Sequence, residues 1–345
     1  MRRLLTGVVV AVAVAGTGAL VVHLRASRPY QGYAGREQFV ELLTGDGVQV
    51  IGGKLVASGV VRDIWVYRLA LWQSGSARRL QAGEYRFDRP MSAAEVVAKI
   101  ARGDVYLRAI TFPEGLTIRE MSRIYAARGF GPPEAFVDAA SDAALVADLD
   151  PSARTLEGYL FPETYRLGRR AGARDLVRLM VSRFRQVFTP RLLAEAEARG
   201  LSVRAVVTLA SLVERETARV EERPVVAGVY LRRLAIGMAL QCDPTVIYAL
   251  ELAGRYHGSL THEDLRVESP YNSYRHPGLP PGPIASPGRT ALEAAAQPAD
   301  TDYLYFVSRN DGSHVFARTL DEHNHNVFRF QVLPSREKRL VGPRR

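Results

Sequence analysis

The N-terminal segment constrains the architecture of this chain more than any other feature. From Leu4 to Leu24 the sequence has 21 residues without a formal charge, between Arg3 and Arg25. As a helix rising about 1.5 Å per residue, this run would be roughly 31 Å long, close to the thickness of a bilayer core. It is longer than the apolar region of a cleaved signal peptide, and no clear cleavage site follows it. We therefore expect an uncleaved single-pass anchor over residues 1–25, with a cleaved signal peptide as the alternative.

The charges that flank this segment barely specify its orientation, because Arg2 and Arg3 on one side face Arg25 and Arg28 on the other. No second apolar run of this kind follows in the sequence. We expect the remainder of the chain to lie on one side of the cytoplasmic (inner) membrane, the periplasmic or extracytoplasmic side.

The net charge of +10 is compatible with nucleic acid, an anionic membrane surface or an anionic polymer as partner. No recognised nucleic-acid-binding module is present in the sequence, so we expect no nucleic-acid partner. The single cysteine excludes an intramolecular disulfide framework and a cysteine-based zinc site.

The pattern after the anchor predicts an α+β fold in two parts. Residues 26–37 are polar and indicate a linker. In residues 38–130 a strand followed by a capped helix occurs twice, with capping boxes at Ser92–Glu95 and Thr117–Glu120. This repetition indicates small βα modules.

The second part is expected over residues 150–335, with a boundary at about 131–150 and a basic tail at 336–345. Long helical patterns at 173–199 and 203–238 precede a loop at 277–288 in which eight of twelve residues are proline or glycine. A β-hairpin with its turn at Asn310-Asp311-Gly312 follows this loop.

The helical pattern of residues 203–221 contains the first candidate for chemistry. At 100° per residue, Glu216 falls on an arc of apolar residues that runs from Ala205 to Val220. Burial of a carboxyl group raises its pKa and favours the protonated form that a general acid needs. Glu214 lies on a different side of the helix. For both glutamates a surface or ion-paired role is the alternative, because several arginines are near.

Four other segments contain candidate site residues, most of which also have a structural explanation. Residues 156–165 combine aromatics with carboxylates, Glu163 among them, and fit a groove edge or a core-facing loop. Asp243, followed by proline and threonine, is typical of a helix N-cap. Prolines in the 271–284 segment would hold its polar groups rigid. The histidines at 314–325 have no companion motif, so we expect no metal site.

Together these segments resemble the MltG (YceG-like) family of endolytic murein transglycosylases. The matching stretches are LEGYLFPETY at 156–165, ASLVERET at 210–217, RRLAIGMALQCDPTVIYAL at 232–250, YNSYRHPGLPPGPIASPG at 271–288 and YLYFVSRNDGSHVFARTLDEHN at 303–324. The resemblance implies a membrane-anchored enzyme that cuts peptidoglycan glycan strands internally, with a LysM-like subdomain near 105–130. The family's catalytic acid is the second glutamate of a VEKET-type motif, which corresponds to Glu216. Cys242 departs from the serine or threonine that is usual at its position.

The resemblance also implies a reaction that needs one carboxyl group and no metal or organic cofactor. Glu216 would protonate the oxygen that leaves N-acetylmuramic acid. It would then accept the proton of the C6 hydroxyl of the same sugar, closing a 1,6-anhydro ring without water; the intramolecular nucleophile is already close to the reacting carbon. The residues expected to contact the substrate are Glu163, Gln241, Asp243, Tyr271, Asn272 and Tyr274.

Two other functions stay open at this point. A muramidase would hydrolyse the same bond with Glu163, Glu214 or Asp243 as a second carboxylate. A non-catalytic peptidoglycan-binding scaffold would use the same surface without cutting. The resemblance further implies peptidoglycan synthases as partners.

Overall fold

The computed structural model describes residues 16–18 and 20–333. The chain divides into two compact units: the first runs to Arg108 and includes Arg166–Arg170, and the second comprises Ala109–Tyr165 and the chain from Ala171 onward. The fold is mixed α+β, as predicted. The expected boundary at 131–150 instead lies inside the second unit.

Most of the predicted anchor, and the whole of the predicted basic tail, lie outside the described residues. Residues 20–27 are helical, and Ala26 is buried in the core of the first unit. Within residues 16–18 and 20–333, no helix combines the length and the apolar character needed to cross a bilayer. The predicted linker is partly ordered against the first unit, since Tyr30 forms an antiparallel bridge with Met91.

The first unit is built on one antiparallel strand pair. Its elements are β1 (Gln38–Leu42), α1 (Val48–Ala57), α2 (Ile64–Ser74), β2 (Gly83–Phe87) and α3 (Ala93–Ala101). β1 pairs with β2, so that Val40 lies opposite Tyr85, and both are buried. The strand predicted at 83–87 and the Ser92–Glu95 capping box of α3 are confirmed.

A second strand pair is formed by β3 (Arg108–Thr111) and β4 (Thr164–Leu167). The second predicted capping box, Thr117–Glu120, opens α4 (Ile118–Ala127). α4 packs against α5 (Pro133–Ala140). The helix of the region predicted to be LysM-like is therefore part of the second unit.

A set of helices and one hairpin completes the second unit. These are α6 (Ala173–Val187), α7 (Pro190–Glu197), α8 (Val203–Glu216), α9 (Arg223–Ala235), α10 (Asp243–Leu252), α11 (Arg289–Ala296), α12 (Leu320–Val327), and the paired strands β5 (Tyr305–Ser308) and β6 (His314–Ala317). Short helical turns lie at Ala143–Val146, Val220–Glu222, Asp264–Arg266 and Phe328–Val332.

α8 is the central helix of this unit. It packs against α7, α9, α10 and α11, and every residue from Val206 to Val213 is buried. The predicted apolar arc is therefore only part of its buried surface, and Val220, assigned to that arc, lies beyond the helix and is exposed.

The two long helical patterns are each interrupted by a proline. Pro190 is the first residue of α7, and Pro224 lies in the first turn of α9. Proline has no backbone N–H and its ring clashes with the preceding turn, so it begins a helix more easily than it continues one. The predicted helices at 173–199 and 203–238 therefore form two helices each.

Candidate active site

Glu216 is the last residue of α8, and the backbone becomes extended at Thr217. The side chain lines a mostly polar cavity of about 390 Å³. The other lining residues come from α9, α10, α12, β5 and the connecting loops: Arg233, Leu240, Gln241, Asp243, Tyr274, Tyr305, Phe306, Leu320, His323 and Asn324. Three of the predicted substrate contacts, Gln241, Asp243 and Tyr274, are thus brought together with Glu216.

The environment of the Glu216 carboxyl group favours its protonated form. Oε2 accepts hydrogen bonds from the Tyr230 hydroxyl at 3.1 Å and from the Cys242 thiol at 3.5 Å. Burial raises the pKa of Glu216 above its ordinary value, and the nearby charge of Asp243 raises it further, while the two donors and His314 oppose the shift. The helix C-terminus also disfavours an anion. Among the described residues no donor bonds Oε1, which leaves that oxygen for a substrate.

Glu214, two residues earlier, is also buried but has strong partners. Its carboxylate accepts hydrogen bonds from Arg223 at 2.7 Å and from the backbone N–H of Gly288 at 2.9 Å. The Glu214 and Arg223 side chains are each only 5% exposed. Such a pair is held together because either partner alone would be an uncompensated buried charge. The ion-paired alternative therefore describes Glu214.

Gln241 and Asp243 flank Cys242 in the sequence, and both line the cavity. Gln241 has a φ of +50°, a left-handed conformation that is costly for a residue with a side chain and is often found at functional sites. Asp243 accepts a hydrogen bond from the Tyr274 hydroxyl at 2.6 Å. The predicted N-cap assignment is one residue too late: Asp243 is the first helical residue of α10, and Cys242 occupies the cap position without a side-chain cap bond.

Ser273 joins the two loops that form this side of the cavity. Its carbonyl accepts from the N–H of Gln241 at 3.2 Å, and its hydroxyl accepts from the N–H of Cys242 at 2.9 Å. The Ser273 and Thr245 hydroxyls are also bonded, at 2.9 Å. These hydrogen bonds hold the 241–243 and 271–274 segments together, although about 30 residues separate them in the sequence.

Three predicted substrate contacts lie elsewhere. Asn272 is fully buried; its side chain donates to the carbonyls of Leu265 and Val267 and accepts from the N–H of Tyr274. A direct sugar contact does not fit this burial, and the residue shapes the loop instead. Glu163 forms an ion pair with Arg183 and does not line the Glu216 cavity. Tyr271 lines a different cavity.

Tyr230 and Arg233 were not among the residues predicted for the site. Both belong to α9, and a helical pattern alone does not show which of its residues face a cavity. Arg233 is buried; it donates to the carbonyls of Leu304 at 2.6 Å and Leu240 at 2.5 Å, and it has no ion pair among the described residues. It places a positive charge beside the cavity. Within the same residues, no three His, Cys, Asp or Glu side chains are grouped to hold a metal ion.

Known proteins resemble this chain over most of its length. Residues 40–329 match the YceG-like family. A Bacillus subtilis (strain 168) protein named endolytic murein transglycosylase is 31% identical over 301 residues, covering 83% of this chain and 82% of that protein. A protein of the same name from Streptococcus pneumoniae serotype 2 (strain D39) is 29% identical, covering 82% of this chain but 56% of that protein. A crystal structure of a yceG-like protein from Listeria monocytogenes has a TM-score of 0.57 and 30% identity, covering 84% of this chain and 98% of that one. This chain belongs to the YceG-like family.

Proposed function

We propose that this protein is a lytic transglycosylase that cleaves the bond between N-acetylmuramic acid and N-acetylglucosamine inside peptidoglycan glycan strands. The chain is an enzyme of the murein transglycosylase class, to which its relatives at about 30% identity over most of its length belong by name. The observation that carries the mechanism is the Glu216 carboxyl group: burial raises its pKa, it lines a cavity of about 390 Å³, and its Oε1 receives no hydrogen bond from any described residue.

The reaction uses the two oxygens of Glu216 differently. The protonated carboxyl group gives its proton to the glycosidic oxygen as the bond to C1 of N-acetylmuramic acid breaks. The C6 hydroxyl of the same sugar attacks C1, and the Glu216 carboxylate takes its proton, which restores the acid. Tyr230 and Cys242 donate to Oε2 and so stabilise the transient carboxylate while Oε1 exchanges the proton. No water is consumed, and the product ends in a 1,6-anhydro ring.

The other cavity residues suit the binding of a sugar. Gln241 and Asp243 supply amide and carboxylate groups for hydroxyl or N-acetyl groups, and Tyr274 fixes the Asp243 carboxylate. Tyr305 and Phe306 add aromatic surface on which the apolar face of a sugar ring can rest. The buried charge of Arg233 further favours the carboxylate of Glu216 once it has lost its proton.

A muramidase that hydrolyses the same bond is the second candidate, because Asp243 places a second carboxylate in the cavity. Digestion of purified glycan strands in H₂¹⁸O distinguishes the two reactions. The lytic reaction gives ends that are lighter by one water than hydrolytic ends and contain no ¹⁸O. Reducing ends that incorporate ¹⁸O would replace the proposed reaction with hydrolysis.

Glu216→Gln tests the catalytic residue. General acid–base catalysis contributes about 10²–10⁴ in rate, so we expect kcat to fall at least about 100-fold. Glu221→Gln is the matched control, because that glutamate is exposed and near in sequence but does not line the cavity. Unchanged cleavage by Glu216→Gln would remove the residue from its role, and absence of cleavage by the wild type would favour a scaffold.

We also propose that residues 1–25 anchor the enzyme in the cytoplasmic membrane with the second unit on the outer side, and that a peptidoglycan synthase is a partner. The LysM-like subdomain that the resemblance implies near residues 105–130 stays a proposal. Flotation of the full chain with lipid vesicles tests the anchor: recovery in the lipid-free fraction would contradict it.

A further inference from the structure

A second cavity of about 560 Å³ lies in the same unit, at residues that the proposed reaction does not use. Its lining comes from two segments, residues 152–159 and residues 270–283, and from Arg204 of α8. The lining residues are Ser152, Ala153, Arg154, Thr155, Glu157, Tyr159, Arg204, Pro270, Tyr271, Pro281, Gly282 and Pro283. Its volume is within the range of ligand pockets, about 300–1,000 Å³.

Glu157 is the buried polar group of this cavity. Its carboxyl oxygens accept hydrogen bonds from the N–H of Ile118, at 3.1 and 3.3 Å, and from the Tyr248 hydroxyl at 3.3 Å. Burial raises the pKa of Glu157 to about 8, so the group is mostly protonated at neutral pH. Glu157 lines the cavity, so its protonated carboxyl group can donate a hydrogen bond to a carbonyl oxygen of a ligand bound there.

Two arginines line this cavity, and only one of them has an ion pair among the described residues. Arg204 is paired with Asp150 at 2.7 Å, and Tyr159 donates to the same carboxylate. Arg154, in contrast, is exposed and has no ion pair among the described residues. The hydroxyl of Tyr271 likewise has no hydrogen-bond partner among residues 16–18 and 20–333. The cavity therefore offers one cation and one phenol to an incoming ligand.

The walls of the cavity and its position indicate what that ligand is. Three prolines and the Tyr271 ring, which packs edge-on against Tyr248 at 4.9 Å, form rigid and mostly apolar walls. Tyr271 is three residues from Tyr274, which lines the Glu216 cavity, so their Cα atoms lie within about 11 Å. A group bound in the second cavity can therefore belong to the same substrate molecule as a sugar bound at Glu216.

We propose that the second cavity binds the stem peptide that N-acetylmuramic acid carries, with an amide carbonyl at Glu157 and the C-terminal carboxylate of the peptide at Arg154. The inference rests on the proposed function, since it assumes a glycan strand at Glu216. The glycan itself has no free carboxylate where the peptide is attached, and the stem peptide combines amide carbonyls with carboxylates. Its apolar side chains match the proline walls.

The test compares uncrosslinked glycan strands that carry stem peptides with the same strands after an amidase has removed the peptides. The measured quantity is the ratio of kcat/KM for the two substrates. For the wild type we expect a ratio of at least about 10, since a hydrogen bond to a charged group strengthens binding by about one to two orders of magnitude. Arg154→Gln should lower the ratio about tenfold, because the variant loses only the contact with the carboxylate. Arg178→Gln, another exposed arginine without an ion pair among the described residues, should keep the wild-type ratio.

Titration of the full-length protein in detergent with a synthetic stem pentapeptide, and with its C-terminal amide, gives a readout that does not depend on catalysis. The acid should bind the wild type about tenfold more tightly than it binds Arg154→Gln. The amide should bind both proteins equally weakly. A wild-type ratio of 1, or equal binding of the acid by both proteins, would overturn the proposal. Wild-type protein that cuts neither strand but binds the pentapeptide would refute the proposed function and retain the site.

Discussion

Glu157 makes the stability of the second unit depend on pH. The group is buried, and its pKa is raised to about 8 mainly because burial disfavours the carboxylate; the charges of Glu120 and Glu251 add to this effect. In the unfolded chain the pKa returns to about 4.5. Between these values the folded protein holds a proton that the unfolded chain has lost.

The sign and the magnitude follow from this difference. The stabilisation is fully present below about pH 4.5 and is lost as the pH rises through 8. Each pH unit in this window costs about 1.4 kcal/mol, so the free energy of unfolding should fall by about 2–3 kcal/mol between about pH 5.5 and 7.5 from this group. Glu157→Gln keeps an oxygen that can accept from Ile118 and has no proton to lose. We expect this variant to have a flatter dependence by that amount.

The chain contains its own probe for this measurement. Cys242 is the single cysteine, is buried, and belongs to the second unit, whereas both tryptophans, Trp65 and Trp72, belong to the first. The protein is equilibrated in urea at each pH and then exposed to a brief pulse of thiol reagent at one common pH. The labelled fraction reports unfolding of the unit that contains Glu157.

Slopes against pH are compared rather than absolute stabilities, because the substitution also changes hydrogen bonds. Glu197→Gln serves as the control, since this residue is exposed and should leave the slope unchanged. If the wild type and Glu157→Gln lose stability equally between the two pH values, the carboxyl group is ionised in the folded protein and the reasoning is refuted.

Three further outcomes follow from the contacts of the site. Tyr230→Phe removes a donor that lowers the pKa of Glu216, so kcat should fall about tenfold and the alkaline limb of the pH–rate profile should move to higher pH. An unchanged limb would contradict this contact. Cys242→Ser supplies a stronger donor at the same place, so the alkaline limb of the pH–rate profile should move to lower pH. Arg223→Gln leaves the buried Glu214 carboxylate unpaired and should destabilise the second unit by about 3–5 kcal/mol, measured by pulse labelling of the cysteine; a loss under 1 kcal/mol would refute this.

Features made by neighbouring residues were predictable from the sequence. The capping boxes at Ser92–Glu95 and Thr117–Glu120 and the β5–β6 hairpin are all confirmed, because each depends on contacts within a few residues. The pairing of β1 with β2 was not predicted, since two helices separate these strands in the chain. The boundary expected at 131–150 lies inside the second unit, because the extent of a compact unit depends on contacts between residues far apart in the chain.

The candidate site was predictable only in part, and the two glutamates of α8 show why. A helical arc places a side chain on one face, but α8 is buried on all sides, so position on an arc cannot separate Glu216 from Glu214. What separates them is their partners: Arg223 and a backbone N–H hold Glu214 as a paired carboxylate, and Tyr230 and Cys242 give Glu216 only neutral donors. Those partners come from other elements, which periodicity does not reveal.

Ser273 explains why the two loop motifs act together at Glu216. The left-handed backbone of Gln241 costs about 1–3 kcal/mol. The hydrogen bond from its N–H to the Ser273 carbonyl, and that from Cys242 to the Ser273 hydroxyl, offset this strain only when both loops are in place. Because the thiol of Cys242 is a donor to Glu216, the same arrangement also sets the distance of that donor. The conformation of a loop at 271–274 is thereby coupled to the proton affinity of a carboxyl group at the end of α8.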